Sequence, residues 1–382
     1  MNILMISTDR ALFEADSPVR LRLREQAALT TELHVIVFTP KGERFKVFHE
    51  GKKFTIYPTA SSSKWMYLPD AYALAKKILD TKRRKGKWLI TTQDPFETGA
   101  LGYMLARKFH LPLHLQLHTD PFSPLWQHER LTHRFRFFLA LFLLKHAAGI
   151  RVVSERVFAK VRALGIPEAR ITKVPIIVDV GHFAHAAPSF DLHHSYPKFS
   201  HIILSLGRLQ PEKNFHGLIR AFARVHRTHD DAMLLIVGSG PLRERLVQLV
   251  RSLNLEGVVV ILPWARDVAS YYKTCDIYVQ PSLYEGWGMA VIEAMASGSP
   301  VVMTDVGCAG EVVRNEETGL VVSVQNDDAL AAALSCLLDD QQLRSTLATQ
   351  GQAEVKKLAT KAETLALYEA SWKNTLKQYE KK

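Results

Sequence analysis

The sequence predicts an α/β protein built from two doubly wound, parallel-sheet domains. At 382 residues, of which 47% are hydrophobic and 23% charged, the chain is longer than one hydrophobic core usually supports. Short runs rich in β-branched residues alternate with longer segments of helical periodicity, which is typical of parallel sheets. The alternation is interrupted over residues 180–200, where two prolines and four histidines follow no sustained period. We therefore predict one sheet on each side of that stretch.

The predicted strands of the first half are short, apolar and bounded by turn residues. They are NILMIS (2–7), LHVIVFT (33–39), KFTIYPT (53–59), KWLITTQ (87–93), LPLHLQLHT (111–119), GIRVVS (149–154) and ITKVPIIVD (171–179). The first helix is marked by Asp16 or Ser17 as its cap and by Pro18 in its first turn. We place the first domain at residues 1–185.

The second half repeats this alternation. Its strands are HIILSLG (201–207), AMLLIVG (232–238), VVVILPW (258–264), CDIYVQP (275–281), PVVMTDV (300–306) and GLVVSV (319–324). An amphipathic helix is predicted over 241–255, and the second domain over 198–360. In the last segment, 361–382, Tyr368 and Trp372 share a helix face, so we expect this helix to pack back toward the first domain.

The charge of the chain is distributed unevenly. The total is +11, of which residues 1–180 carry +13 and residues 181–382 carry −2. A basic half suggests an anionic partner, such as a membrane surface, a phosphorylated acceptor or nucleic acid. A basic solvated face without a partner is the alternative. The segment HRFRFFLALFLLKH (133–146) combines cations with apolar residues, which suits either interfacial attachment to a membrane or a buried helix with cationic ends.

The compartment follows from what the sequence lacks. Cys275, Cys308 and Cys336 are too far apart for a disulfide framework or a zinc cluster, which favours a reducing compartment. The N-terminus begins directly with a strand and shows no signal peptide. The longest apolar run, FFLALFLL (137–144), is too short to cross a bilayer. We therefore expect a cytoplasmic protein that associates peripherally with the inner face of the plasma membrane.

The first group of candidate site residues lies in PSLYEGWGMAVIEAMASGSPVV (281–302), between a predicted strand and a predicted helix. If Gly286 and Gly288 form the turn into a helix that begins near Met289, Glu285 projects from the loop. Glu293 then lies about 7 Å along the helix axis. Free amides at the helix start favour a phosphate, and a carboxylate on the helix accepts hydrogen bonds from a ribose diol. The pattern therefore indicates a nucleotide-sugar site.

A second group lies in LSLGRLQPEKNFHGLIRAF (204–222), directly after a predicted strand. Gly207 permits a turn at the strand end, and Arg208 and Lys213 are spaced to converge on one anion. Two cations there would neutralise a leaving diphosphate without a metal. Without the other motifs, the simpler interpretation of Arg208 and Lys213 is that they are two surface cations before a helix.

Two other patterns are weaker. LLIVGSGPLRERL (234–246) resembles the start of a dinucleotide fingerprint through Gly238 and Gly240, but Arg243 stands where the third glycine belongs. The histidines His182, His185, His193 and His194 lack the fixed spacing of a metal site, and no Asp-x-Asp occurs in the chain. We therefore predict no metal and no bound cofactor.

Taken together and in this order, these motifs closely resemble retaining glycosyltransferases of family 4, which have the GT-B fold of two Rossmann-like domains facing a central cleft. The resemblance is carried by GRLQPEKN, LLIVGSGP, YYKTCDIYVQPSLYEGWGMAVIEAMASGSPVV, TDVGCAGEVV and ETGLVV, and it includes the E-x7-E spacing from Glu285 to Glu293. The first half resembles the family more loosely, through TTQDPFETGALGYMLARK and LHLQLHTDPFSPLW.

The resemblance implies a role for each matching residue. Arg208 and Lys213 would bind the donor diphosphate, with Gly207 beside them. Glu293 would bind the ribose. Glu285 would contact the transferred sugar, with the backbone of Gly286, Trp287, Gly288 and Met289 near it. His118 matches the family's active-site histidine across the cleft, whereas alone it would be taken as structural. The loop STDRALFEADSPVR lacks the family's glycine-rich turn, so Arg20 or Arg24 could contact an acceptor anion instead.

The predicted activity is metal-independent transfer of a sugar, with retention, from a UDP- or GDP-sugar to a lipid-linked, glycolipid or saccharide acceptor of cell-surface polysaccharide or glycoconjugate. The partners would be donor, acceptor and an anionic membrane surface rather than nucleic acid. A sugar-nucleotide epimerase or a soluble glycan synthase of the same fold is the nearer alternative. An NAD-dependent oxidoreductase is the alternative from another class, and a basic non-enzymatic scaffold would leave Arg208, Lys213, Glu285 and Glu293 unexplained.

Overall fold

The structure is a computed structural model that describes residues 1–51 and 53–381. The chain divides into two compact units: Met1–Pro175 with the residues from Ala362 onward, and Ile176–Lys361. The division therefore falls before the stretch 180–200, in which the sequence shows no period. That stretch contains two helices of six and four residues, capped by Asp179 and Asp191, which are too short to produce a visible period.

The first unit contains an eight-stranded sheet. Its strands are β1 (Asn2–Ser7), β2 (Glu32–Val37), β3 (Phe48–Glu50), β4 (Phe54–Pro58), β5 (Trp88–Thr92), β6 (Leu113–Leu117), β7 (Gly149–Val152) and β8 (Ile171–Lys173). They lie in the order β3-β4-β2-β1-β5-β6-β7-β8, and only β3 is antiparallel to its neighbour. The seven predicted strands are confirmed. The three-residue β3 was not predicted, because it is too short for a period-2 pattern.

Six helices of the first unit precede the division. They are α1 (Pro18–Ala28), α2 (Tyr67–Lys82), α3 (Glu97–Phe109), α4 (Pro124–Glu129), α5 (Leu131–His146) and α6 (Glu155–Ala163). Short 3-10 turns span Arg10–Phe13, Lys41–Glu43, Lys64–Met66 and Glu168–Arg170. Of the two predicted caps, Ser17 is the one used: its hydroxyl accepts a hydrogen bond from the Arg20 amide, and Pro18 occupies the first turn.

The second unit contains a six-stranded, all-parallel sheet. Its strands are β9 (His201–Leu206), β10 (Ala232–Val237), β11 (Val259–Leu262), β12 (Ile277–Gln280), β13 (Val301–Thr304) and β14 (Leu320–Val322). Their order is β11-β10-β9-β12-β13-β14, so the order reverses between β9 and β12. All six predicted strands are confirmed. The first sheet reverses in the same way between β1 and β5, and both sheets are doubly wound.

The helices of the second unit are α7 (Val180–His185), α8 (Leu192–Ser195), α9 (Phe215–Val225), α10 (Arg243–Ser252), α11 (Val268–Thr274), α12 (Met289–Ser297), α13 (Asp327–Asp339) and α14 (Gln341–Val355), with a 3-10 turn over Pro211–Lys213. The helix predicted over 241–255 is α10. The helix predicted to begin near Met289 is α12, which begins at that residue.

The chain ends in α15 (Lys361–Glu380), which packs on the first sheet. Tyr368 and Trp372 are buried in one cluster with Ile3, Met5 and Leu89, which confirms that the two aromatic residues dock as a pair. The Ser371 hydroxyl lies 3.0 Å from Nε2 of His114, on β6. Within residues 1–51 and 53–381, no helix combines the length and the apolarity that a membrane span requires.

Candidate functional site

The second sheet brings the two predicted groups of site residues to one edge. Gly207 and Arg208 directly follow β9, and the loop that contains Glu285 follows β12, which pairs with β9. The strand order reverses between these two strands. In open parallel sheets, ligands bind outside the carboxyl ends of the strands at such a reversal. The topology therefore places both groups where this fold class binds its ligands.

Glu285 and Lys213 form an ion pair at this edge. Lys213 Nζ donates to Oε1 of Glu285 over 2.5 Å, and both side chains are more than four-fifths buried. The same oxygen accepts a hydrogen bond from Ser282 Oγ at 2.9 Å, and Gln280 Nε2 lies 3.4 Å away. Three donors thus hold one carboxylate oxygen in a fixed position. The arrangement presents a largely buried cation and anion side by side, where a ligand that carries both phosphate and hydroxyl groups would contact both.

Arg208 is the exposed member of the group. Its Nη2 donates to Oε1 of Glu212 over 3.1 Å, in an i,i+4 pair, and its side chain is otherwise in solvent. The Lys213 stem passes over Gly207, where an added Cβ would lie 3.5 Å from Lys213 Cε. The two cations thus flank Gly207, and the structure shows no direct contact between them among the described residues.

The glycines before α12 shape its N-terminus. Gly288 is the residue before the helix and has φ +103°, a conformation that an L side chain rarely adopts. The carbonyl of the buried Trp287 accepts a hydrogen bond from the Cys308 amide at 2.8 Å, while Gly286 is buried and Met289 is half-buried. The first amides of a helix are unpaired within it and favour an anion. The first amides of α12 therefore have no capping side chain at Gly288.

Glu293 lies on α12 against a buried tyrosine. Tyr272 Oη, on α11, donates to Oε2 of Glu293 over 3.1 Å. Burial raises the pKa of Glu293, and the Tyr272 hydrogen bond opposes that change in part. Burial also raises the pKa of Tyr272 well above its usual value, so its hydroxyl remains a donor. The sequence reasoning did not identify Tyr272, although it lies in the motif YYKTCDIYVQPS.

The glycines of the dinucleotide-like pattern have a packing role. An added Cβ at Gly238 would lie 1.9 Å from the Gly207 carbonyl oxygen, and one at Gly240 would lie 2.5 Å from that of Leu209. Leu209 N also donates to Ser239 O over 2.9 Å. The loop after β10 therefore packs backbone to backbone on the loop after β9. The two glycines are accounted for by this contact and do not require a dinucleotide.

His118 lies in the first unit, directly after β6, and keeps an exposed face. Its Nε2 is 3.4 Å from Nη1 of Arg151. The pKa of His118 is lowered by desolvation and then by the guanidinium groups of Arg151 and Arg22. An arginine only donates, so Nε2 is the unprotonated nitrogen and Nδ1 carries the proton.

Arg151 is a buried cation held by neutral groups. Its Nε and Nη2 donate to the Val174 carbonyl over 3.1 and 2.8 Å, and its Nη1 donates to Gln116 Oε1 over 2.9 Å. Its guanidinium carbon lies 4.3 Å from the ring centre of Tyr368. The sequence reasoning did not identify Arg151; the signal was a charged residue inside the apolar strand GIRVVS.

The other basic residues considered for an acceptor anion are engaged locally. Arg20 is buried, with its guanidinium carbon 3.5 Å from the ring centre of Phe48. Arg24 pairs with Glu50 at 2.8 Å. Across residues 1–51 and 53–381, no cluster of three or more His, Cys, Asp and Glu side chains is arranged to hold a metal ion.

Two family models match the chain. Residues 22–182 match the family model described as Glycosyltransferase Family 4, and residues 193–354 match the one described as Glycosyl transferases group 1. The two matches together cover most of the chain. The chain belongs to glycosyltransferase family 4. The family 4 chain has the GT-B fold, as a sucrose-phosphate synthase from Thermosynechococcus elongatus illustrates: the two share a TM-score of 0.80 and 23% identity over 98% of each chain.

Two curated relatives of this family 4 chain are named for acceptors on a lipid diphosphate. One, from Campylobacter jejuni, is N-acetylgalactosamine-N,N'-diacetylbacillosaminyl-diphospho-undecaprenol 4-alpha-N-acetylgalactosaminyltransferase, 35% identical over 40% of this chain and 42% of its own. The other, from Escherichia coli, is UDP-Gal:alpha-D-GlcNAc-diphosphoundecaprenol alpha-1,3-galactosyltransferase, 28% identical over 48% of this chain and 49% of its own. The chain thus matches less than half of the length of these relatives.

Proposed function

We propose that this chain is a metal-independent, retaining glycosyltransferase that transfers a hexose from a UDP- or GDP-sugar to a lipid-linked or saccharide acceptor at an anionic membrane surface. The observation that carries the proposal is the Lys213–Glu285 ion pair at the strand-order reversal, beside the glycine-bounded start of α12. The name of the Escherichia coli relative supports a UDP-sugar donor, and the names of both relatives support an acceptor on a lipid diphosphate.

Each side chain has a task in the proposed reaction. Lys213 and Arg208 neutralise the diphosphate as the glycosidic C–O bond breaks, and the first amides of α12 bind its oxygens. Glu293, kept in place by Tyr272, accepts hydrogen bonds from the ribose hydroxyls. Glu285 accepts from hydroxyls of the transferred sugar. His118, neutral and protonated on Nδ1, donates to that sugar.

Retention follows from attack on the face that the diphosphate leaves. The acceptor oxygen bonds to the anomeric carbon while the bond to the diphosphate oxygen breaks, and the acceptor proton passes to a diphosphate oxygen. This route requires no nucleophilic side chain of the enzyme. That requirement fits Glu285, because its carboxylate is already hydrogen-bonded by Lys213, Ser282 and Gln280. Water must be excluded during the step, because it would otherwise accept the sugar.

Calorimetric titration of the full chain with UDP, GDP and NAD, with and without EDTA, tests the donor site. We expect one nucleoside diphosphate to bind in the presence of EDTA, and Glu293→Ala to weaken that binding by ~10-fold or more, since a charged hydrogen bond is lost. Glu317→Ala, an exposed carboxylate that pairs with Arg314, is the control. Binding of NAD alone would replace the proposal with a dehydrogenase, and binding that requires a divalent ion would contradict metal independence.

A further inference from the structure

Helix α5 has two apolar faces. One face is buried in the first unit through Ala140, Leu143 and Leu144. The other consists of Leu131, Phe135, Phe138 and Phe142, which are 84%, 71%, 66% and 46% exposed; we call these four residues the α5 stripe. They are spaced by four, three and four residues and therefore share one face of the helix. Large apolar side chains that are contiguous and exposed mark a surface that binds something.

The charge around the α5 stripe is positive. Between Leu131 and His146 the sequence has no Asp or Glu, and Arg134 and Lys145 are exposed on α5 itself. Helix α3 packs beside α5 through Tyr103 and Phe142, whose ring centres are 5.3 Å apart, and it exposes Arg107 and Lys108. A surface with apolar side chains between cations suits an anionic partner that has an apolar interior.

A cavity lies against the first turns of α5. It has a volume of about 640 Å³, and its lining includes Thr132 and Arg136 of α5, Arg10, Lys64 and Glu97, which pairs with Arg136 at 2.8 Å. Trp65 lines the same cavity and is 92% exposed, so a large aromatic side chain stands in solvent close to the start of the α5 stripe. Tryptophan is enriched where a protein meets the boundary between lipid and water.

We propose that the α5 stripe and Trp65 form a membrane-binding surface that inserts into the interface of a bilayer containing anionic phospholipids. The cavity between them then opens at the bilayer, on the side from which a lipid-linked acceptor would arrive. The inference rests on the proposed function for the acceptor only, since the surface itself is defined by exposure and charge. A second copy of the chain fits the surface less well, because two such faces would bring like charges together.

Sedimentation of the full chain with vesicles tests the surface. We expect binding to vesicles of phosphatidylglycerol and phosphatidylcholine, little binding to phosphatidylcholine alone, and weaker binding as salt is raised. Replacing Phe135 and Phe138 together by serine should lower the binding to anionic vesicles by ~10-fold or more. The control is Leu253→Ser, which changes an exposed apolar residue of the second unit.

A matched pair of double variants separates the local surface from the overall charge. Arg134→Ser with Lys145→Ser should weaken vesicle binding more than Lys77→Ser with Lys85→Ser, since both pairs remove two exposed cations but only the first lies on α5. In vesicles with brominated lipids, tryptophan fluorescence should be quenched, and Trp65→Phe should lose part of that quenching.

The proposal is overturned if the stripe variant, in which Phe135 and Phe138 are both serine, binds vesicles as well as the Leu253→Ser variant does. It is also overturned if the wild-type chain does not bind anionic vesicles. Dimerisation that the stripe variant abolishes, without vesicle binding, would assign the surface to a second copy instead. Titration of the same variants with UDP keeps the two hypotheses apart. Vesicle binding that depends on the α5 stripe, without UDP binding, would support the membrane-binding surface and contradict the proposed transferase. UDP binding without vesicle binding would support the transferase and contradict the membrane-binding surface.

Discussion

The two sheets reverse their strand order in the same way, between β1 and β5 and between β9 and β12, yet the largely buried cations Lys213 and Arg151 have different kinds of partner. In the second unit Lys213 is paired with Glu285. In the first unit Arg151 is bound by two backbone carbonyls, the Gln116 amide oxygen and the ring of Tyr368, and none of these contacts is a carboxylate. Lys213 thus has a carboxylate as its counter-charge, whereas the contacts of Arg151 named here are all with neutral groups.

The presence or absence of a counter-charge decides how a buried cation affects its neighbours. In a buried ion pair each charge offsets part of the desolvation cost of the other, and removing one partner leaves the other charge uncompensated. A cation without a counter-charge disfavours a second positive charge close to it. The pKa values of His114 and His118 are both lowered by desolvation and then by Arg151. The paired cation of the second unit fits the proposed donor site, whereas Arg151 in the first unit disfavours protonation of His114 and His118.

The largest effect should come from breaking the pair in the second unit. Glu285→Gln keeps the shape of the side chain but removes its charge, so Lys213 loses its counter-ion. In the proposed reaction the hydroxyls of the transferred sugar would then meet a neutral amide in place of a carboxylate. We expect the transfer rate at saturating donor to fall by ~10²–10³-fold, as when one preorganised partner of a transition state is removed. Initial rates with purified protein measure this, and nucleotide binding should change far less.

Glu212→Gln is the matched control, because Glu212 pairs with the exposed Arg208 at the same edge. We expect it to retain most of the activity. Full activity of Glu285→Gln would show that the pair serves structure only.

The strands along the chain and the position of the loop before α12 could be predicted from the sequence, because both depend on local patterns. Thirteen short apolar runs became thirteen strands, and Glu285, Gly288 and Glu293 lie around the start of α12 as the loop and helix spacing required. The Lys213–Glu285 contact joins residues 72 positions apart. No local pattern reports such a distance, so the sequence indicated a shared ligand but not the ion pair.

The buried polar network of the first unit could not be predicted for a related reason. Arg151 binds Val174 and Gln116, and His114 binds Ser371 of α15, 257 residues away along the chain. His114, Gln116 and Arg151 lie on the strands β6 and β7, where the pattern favours apolar side chains. Only the packing of α15 on the sheet shows which polar groups meet.

A smaller effect should come from removing the unpaired cation of the first unit by Arg151→Met. The carbonyls of Val174 and Pro175 would lose their donors, so the free energy of unfolding at neutral pH should fall by ~1–3 kcal/mol. Urea unfolding measures this change. Arg162→Met, which removes an exposed cation of α6, should have little effect.

The same variant should change how stability depends on pH. Burial and Arg151 lower the pKa of His114 to about 3, whereas the unfolded chain binds that proton below about pH 6.5. Between these values only the unfolded state is protonated, so stability falls as the pH is lowered, by at most ~1.4 kcal/mol per pH unit for one such group. Arg151→Met raises the pKa in the folded state and should make the fall smaller. If the free energy of unfolding depends on pH in the same way in both proteins, burial alone lowers the pKa of His114.

The smallest effect should come from the second carboxylate of the donor site. Tyr272→Phe removes the hydroxyl that donates to Glu293 but keeps the buried ring, which lies among Phe183 and Tyr278. The hydrogen bond lowers the pKa of Glu293 against the effect of burial, so its loss should raise that pKa further and reduce the ionised fraction. Nucleotide affinity should then fall by ~2–10-fold at neutral pH, which corresponds to one hydrogen bond of ~0.5–1.5 kcal/mol, and recover in part at higher pH. Calorimetry at two pH values measures both effects, with Tyr271→Phe on the same helix as the control. A loss of affinity that does not recover at higher pH would mean that Tyr272 orients Glu293 rather than keeping it ionised.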